Sequence, residues 1–388
     1  MTPAWHAART MDTLTHALSG ALVARAICVR APRLPAAAAL PAQGRFAAAW
    51  DGGAGAPALW QAVLVGAVAG AFPDIDVVAR WAGEMAYLRH HRGITHSLLL
   101  APLWAGLLAL TMSAVFAAAR APRAGWKSLF AIALAAIVVH IAGDWITHFG
   151  TMLLAPLSDA RFGLGAVFII DPVFSGLLLA GLLAAAVWPQ RRWPALAGLA
   201  LASGWVALAW DARQDALAEG HAHAQRAGLA VVEVDAMPRP ASPFNWTVVV
   251  YDGSAYHVAH LNTRRRVPLV AGPQAGWLRR LSAVYAPAPM ARWEVVPRFG
   301  NGADAAWARQ VWQHEQLATF RWFAAAPVLV QTTERRTADG RVERCAVFGD
   351  LRFGFPGRGE VPFRYGLCLY GERGATLVRL VGEGLLPL

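Results

Sequence analysis

The sequence predicts a mainly α-helical membrane bundle of about six helices, some of them short, followed by a soluble α+β domain. Three observations carry that reading. The 388 residues are 56% hydrophobic and only 15% charged, where ordinary soluble domains carry roughly 25%. Mean hydropathy is +0.39. The charge is also unevenly placed, because residues 1–210 hold only 14 of the 35 Lys+Arg and 8 of the 24 Asp+Glu. The first half therefore reads as membrane and the second as a domain in water.

Residues 1–12 read as a leader. No basic n-region of the usual kind precedes the first apolar stretch, so no cleavable signal peptide is expected, and Met11 is a candidate start. Six apolar stretches follow, at roughly 13–28, 58–72, 96–119, 128–149, 172–188 and 194–210. The third and fourth reach the ~20 residues that span a bilayer outright. The others are short spans, tilted spans in a thinned site, or half-buried helices. An Ala/Pro/Gly-rich segment at 31–57 reads as a loop. Together these make a membrane domain at 13–210.

The segment Asp211–Leu229 extends the last span as a polar helix and opens the soluble domain, 211–388. Thr247–Tyr251 and Ala255–Ala259 flank Asp252-Gly253, and Val328–Thr333 and Val342–Phe348 flank Ala338-Asp339-Gly340; both are hairpin signals. Amphipathic stretches at about 274–285 and 303–325 predict helices. The net charge of +11 does not point to nucleic acid. The basic residues are dispersed, with Arg264-Arg265-Arg266 the one tight run, so a scattered surface charge or attraction to anionic lipid headgroups explains them better. Cys28, Cys345 and Cys368 form no metal or redox motif; Cys345 and Cys368 are either a disulfide or two buried thiols.

Orientation follows from the positive-inside bias. With 29–57, 120–127 and 189–193 in the cytoplasm, that side holds Arg25, Arg30, Arg33, Arg45, Arg120, Arg123, Lys127, Arg191 and Arg192. The opposite side holds Arg9, Arg80, Arg89, Arg92 and Arg161. The chain is thus expected in a bacterial inner membrane, with the C-terminal domain in the periplasm.

Five short clusters hold most ionisable residues of the membrane half: Asp12-Thr-Leu-Thr-His16, Asp74-Ile-Asp76, His90-His91-Arg92-Gly-Ile-Thr-His96, His140-Ile-Ala-Gly-Asp144-Trp-Ile-Thr-His148, and Asp171-Pro172. Laying the helices alternately up and down brings all five to one membrane face. Asp12/His16, His140/Asp144 and Asp144/His148 are i,i+4 pairs, so each projects from one helix face. Imidazole and carboxylate suit one or two divalent ions, Zn²⁺ first, with Mn²⁺ or Fe as alternatives. Ionisable groups inside apolar helices point to a functional site facing the bundle interior.

Each piece also has a plainer reading. Asp12 and Asp171 could cap helices, Asp74 and Asp76 could form a turn, and Thr95 and Ser97 could cap the third helix. His91 and His148 could sit at the membrane surface, and Arg92 could bind lipid phosphate. His221 and His223 point apart and read as solvated surface, as do His257 and His260. The ligand set expected is His16, Asp76, His96, His140 and Asp144. Asp12, Asp74, His91 and His148 are further ligands or a second-ion set. Asp74 or Asp171, if not a ligand, would be the general base or would orient a histidine, and Arg92 would neutralise an anionic substrate group.

Taken in order, Met11-Asp12-Thr-Leu-Thr-His16, Phe72-Pro-Asp74-Ile-Asp76, His91-Arg-Gly-Ile-Thr-His96-Ser, His140-xxx-Asp144, Phe149–Pro156 and Ile170-Asp171-Pro172 resemble the YdjM/YbcI family of inner-membrane proteins. The resemblance covers about residues 11–210. It implies a metal-dependent hydrolase with phospholipase-like chemistry, and its His-xxx-Asp pair is similar to that of zinc-dependent phospholipase C enzymes. A site at the headgroup level makes a lipid or other phosphoester the expected substrate. The rival reading is a non-enzymatic metal-binding or transport protein. A transporter should carry polar residues through the full bilayer depth, whereas here they gather at one face. The sequence sets no oligomeric state.

Overall fold

A computed structural model describes residues 4–29, 56–119, 124–336, 340, 342–371 and 374–388, with the side chains of residues 4–12 outside the description. The expected loop at 31–57 and the Ala338-Asp339 turn therefore fall mainly outside the described residues. The chain divides into two units: residues 1–77 with 92–208, and residues 78–91 with 209–388.

The first unit is helical: α1 (Ala4–Ile27), α2 (Leu59–Ala71), α4 (Ala101–Ala118), α5 (Trp126–Trp145), α6 (Pro172–Val187) and the first part of α7 (Trp193–Ala227). Helix α3 (Glu84–His90) belongs to the second unit. Of the described helices, four are long and apolar enough to cross a membrane: Leu59–Ala82, Ala101–Ala118, Trp126–Trp145 and Trp193–Ala227. This corrects the expectation of about six. Helix α6 is apolar but has 16 residues, and α1 carries His16 and Arg25 within its length. Helix α1 also starts at Ala4, inside the stretch read as a leader.

Small residues let the helices approach closely, as in other membrane bundles. A Cβ on Gly20 would strike the carbonyl of Gly66, and one on Gly70 would lie 2.5 Å from the carbonyl of His16. Ala62, Val65 and Ala69 of α2 pack with Ala101, Ala105 and Ala109 of α4 and Ala133, Ala136 and Ile137 of α5 in one buried core. Buried Arg25 ends α1, donating to the carbonyls of Cys28 (2.5 Å) and Ala185 (2.7 Å). The stretch expected to be helical from 96 begins only at Ala101, and α5 stops at Trp145 rather than 149. Beyond α5 the chain forms a loop to 171, held by bridges Thr147–Val167 and Thr151–Phe162.

The second unit is α+β. Strands β1 (Glu233–Pro238), β2 (Asn245–Tyr251), β3 (Ala255–Asn262), β4 (Ala286–Pro287) and β5 (Trp293–Pro297) form one sheet, β3 pairing with β2, β4 and β5. A second sheet is an antiparallel meander of β6 (Pro327–Arg336), β7 (Val342–Asp350), β8 (Tyr365–Tyr370), β9 (Gly374–Val381) and β10 (Gly384–Pro387). Both expected hairpins are present, since β2 pairs with β3 and β6 with β7. The helices are α8 (Trp277–Ala283), α9 (Asp304–Trp312) and α10 (Ala318–Phe323). Cys345 and Cys368 face each other across β7 and β8 and are disulfide-bonded. That bond settles the alternative left open by the sequence, and it removes both sulfurs as metal ligands. His223 stacks on Trp293 at 3.8 Å rather than lying free in solvent.

The segment 78–91 is held inside this second unit. Glu84 accepts from the Tyr365 hydroxyl at 3.0 Å and pairs with Arg379 at 3.1 Å, and the Arg89 guanidinium lies over Trp322.

Candidate metal centre

The site is assembled where α1 and α5 come together with the chain that leaves α2 and enters α4. His16 is buried on α1. Past α2 the chain tightens into a 3-10 helix, Phe72–Ala82, which carries Asp74 and Asp76. Arg92 and His96 lie on the segment ahead of α4, and His140 and Asp144 are one turn apart on α5. His96 and His140 are 0% exposed, and Arg92 and Asp144 are 1% exposed. So much buried ionisable chemistry must be mutually compensated.

Asp144 is the centre. Its Oδ1 lies 2.8 Å from Arg92 Nη2 and 3.2 Å from His16 Nε2, and its Oδ2 lies 3.0 Å from His96 Nε2 and 3.5 Å from His140 Nε2. Neither oxygen accepts an aligned hydrogen bond. Asp74 Oδ1 completes the ring at 3.8 Å from His140 Nε2 and 3.9 Å from His96 Nε2, its other oxygen accepting from Thr13 at 2.7 Å. Two overlapping groups could each hold an ion: His16, His140 and Asp144, and Asp74, His96 and His140. Ligand atoms around a tetrahedral Zn²⁺ at ~2.0–2.1 Å stand about 3.3 Å from one another, and these separations bracket that value.

The far sides of the imidazoles are fixed. His140 Nδ1 donates to the carbonyl of Gly70 at 2.6 Å. His96 Nδ1 is 3.3 Å from Asp76 Oδ2 and 3.0 Å from the Thr95 hydroxyl. A ring whose Nδ1 carries the proton presents a lone pair at Nε2. The two Nε2 atoms nevertheless face each other at 3.0 Å. With both rings in that tautomer the two lone pairs would repel, a contact that a proton on one nitrogen or a metal cation between them relieves.

Local folding explains these positions. The close α1–α2 crossing at Gly20, Gly66 and Gly70 sets His16 beside the Gly70 carbonyl that holds His140. Gly143 leaves room on α5, since a Cβ there would lie 3.1 Å from His16 Cε1. Arg92 has a φ of 58°, an uncommon conformation for a side-chain-bearing residue. It is held on both flanks, its N–H donating to Asp76 at 2.7 Å and its carbonyl accepting from Met152 N at 2.9 Å.

Residues 11–216 match the YdjM inner membrane protein family. The chain belongs to that family. It is 30% identical over 133 residues to the "Uncharacterized protein YfhP" of Bacillus subtilis (strain 168), a stretch that is 34% of this chain and 38% of that relative. The chain thus spans well under half the length of the relative it matches. No solved structure matches it.

In this YdjM-family membrane protein, seven of the residues singled out by sequence come together: His16, Asp74, Asp76, Arg92, His96, His140 and Asp144. Four stand elsewhere or outside view. The side chain of Asp12 lies outside the described residues. His91 stacks on Tyr87 in the second unit, with centroids 4.7 Å apart. His148 leaves the His140–Asp144 face because the helix has already ended, the Thr147 N–H turning back to Asp144 O at 3.1 Å. Asp171 caps α6, Oδ1 accepting from the N–H groups of Val173 and Phe174 and Oδ2 from the Trp205 indole at 2.8 Å. Arg92 donates to the Asp144 carbonyl at 3.2 Å and the Thr147 hydroxyl at 2.9 Å and pairs with Asp144 Oδ1 at 2.8 Å, with the ring of Phe149 beneath it. Sequence reading missed Gly70 and Thr147. Gly70 acts through its carbonyl, which leaves no trace in residue type.

Proposed function

We propose that this YdjM-family protein is a membrane-embedded hydrolase that uses a divalent ion, Zn²⁺ by the donor chemistry, on a phosphoester or lipid-type substrate. The observation that carries the metal is the convergence of the His96 and His140 Nε2 atoms on each other and on Asp144, with both Nδ1 atoms engaged. Charge supports it. Three buried or half-buried carboxylates stand against one guanidinium, so two negative charges are left for a dication to neutralise.

His96, His140, Asp144 and Asp74 would hold the ion, with His16 on the far side of Asp144. When bound, such an ion supplies Lewis acidity and lowers the pKa of a nearby water toward neutrality. The protein's own groups do the rest. Asp76 and the Gly70 carbonyl fix which imidazole nitrogen is free. Arg92 locks Asp144 Oδ1, so a single ion on the Oδ2 side fits better than two. Thr13 holds Asp74 Oδ2, which leaves Oδ1 turned to the two imidazoles. The Cys345–Cys368 disulfide favours an oxidising compartment, which supports the periplasmic placement of the C-terminal domain.

Metal analysis of the purified full-length protein tests this reading. About one ion per chain is expected in the wild type, and a loss of at least tenfold in His140→Ala/Asp144→Ala. Equal metal in both proteins would sink the site. Phosphodiesterase and phospholipase assays on both should give turnover in the wild type alone; bound metal with no turnover on any ester would favour the transport reading.

A further inference from the structure

Beside the ligand cluster the first unit contains a cavity of about 300 Å³, at the small end of ligand-pocket size. Its long walls are single helix faces. Helix α5 contributes residues from Val139 to Ile146 and α7 residues from Leu199 to Val206, both at i, i+3, i+4, i+7 spacing. Most of the polar lining, Thr15, His16, Thr147, Asp171 and Ser175, lies toward one end, and Ser19 and Ser203 stand further along the walls. Asp171 takes the Trp205 indole there, which fixes the Val206 end of α7 at the polar level. The opposite end is closed by Val139, Leu178 and Leu199. Seven residues of α5 at ~1.5 Å each give a slot about 10 Å deep, roughly a third of a bilayer's hydrocarbon core.

His16 joins this slot to the cluster. Its ring lines the cavity, while Nε2 stands 3.2 Å from Asp144 Oδ1. We infer that the cavity seats one hydrocarbon chain of an anionic amphiphile, with the head at His16 and the ligand cluster and the chain running between α5 and α7. The shape argues for a chain, since a slot about 10 Å deep is apolar over most of its lining and richest in polar groups near His16. Its far walls carry Val139, Leu178 and Leu199, which offer water no partner. Both α5 and α7 lie within candidate membrane spans, so the occupant would come from the bilayer. The head-group placement rests on the metal-site reading; the chain slot does not.

Photolabelling separates the two. Full-length protein is treated with alkyl phosphates of two to twelve carbons carrying a terminal diazirine, and labelled residues are mapped by mass spectrometry. Long probes should label Val139, Leu178 or Leu199, and the shortest should not. Ala142→Phe, at a position exposed on the cavity wall, should cut that labelling at least tenfold while bound metal stays at the wild-type level. Val206→Phe, on the facing wall, should do the same and guards against a folding fault in either variant. Labelling confined to outward-facing residues such as Leu103 and Leu183, or unchanged by both substitutions, overturns the inference. In His140→Ala/Asp144→Ala the cavity labelling should persist, so a failed metal site and a failed chain slot give different results. Phosphatidic acid and a polyprenyl phosphate, added as competitors, identify whether an acyl or an isoprenoid chain is preferred; displacement by neither overturns the inference.

Discussion

At the scale of the residue, the partners of the ligands decide more than the ligands themselves. Asp76 reaches His96 at Nδ1, on the side away from the cluster, so its work is to orient the ring. Asp76→Asn keeps the shape but removes the charge that favours the Nδ1–H form. Metal affinity should fall about 10- to 100-fold, read by chelator competition, with fold retained; unchanged affinity would mean Thr95 alone holds the ring. In the C-terminal domain a different histidine reports on pH. Burial, with help from nearby Arg239, pushes His260 down to about 4, against 6.5 in the unfolded chain. The neutral ring is therefore favoured by folding. Its contribution is full above pH 6.5 and lost as pH falls toward 4, amounting to about 3 kcal/mol at most. Thermal unfolding should show that loss between those pH values, and His260→Gln should flatten it. Much of the cluster was legible at this scale, because Asp and His inside apolar helices have few other reasons to be there. The Asp171 cap was equally legible, from its place before Pro172. The tautomer lock was not, since a backbone carbonyl belongs to every residue alike.

At the scale of the element, the site depends on how closely α1 lies on α2. The Gly70 Cα faces the His16 carbonyl, so Gly70→Ala forces the helices apart just where both feed the cluster. Overpacking of this kind costs about 1–3 kcal/mol. It should lower the unfolding temperature in detergent and weaken metal binding as well, whereas Gly106→Ala, with open space around it, should do neither. Helix ends were the weak point of sequence reading. Leu98–Leu100, and Ile146 and Phe149, carry the apolar pattern past the helix ends, yet the chain beside α4 turns away to bond elsewhere: Leu98 N–H goes to the Leu153 carbonyl and Ser97 Oγ to the Ala155 carbonyl. The i,i+4 relation of Asp144 and His148 failed for that reason. His140 and Asp144, safely inside α5, kept theirs.

At the scale of the whole molecule, the path of the chain gives the C-terminal domain a claim on the membrane site. The polypeptide leaves the first unit after Val77 and returns at Arg92, and the intervening residues are packed within the second unit. Asp76 and Arg92, which bond to each other, are thus the two ends of a segment anchored by Tyr365, Arg379 and Trp322. Hydropathy could not show this, since residues 78–91 read as an ordinary connection between spans. A chain ending after Leu208 would strip Glu84 and Arg89 of those partners and return the segment to a free loop, whose ordering costs entropy for each residue fixed. The expected result is a membrane-inserted fragment whose metal affinity is at least tenfold below that of the full chain. Glu84→Ala should move affinity in the same direction by a smaller factor. A fragment that binds metal as tightly as the full chain would mean that the first unit holds Asp76 and Arg92 unaided, and that the C-terminal domain serves some other end.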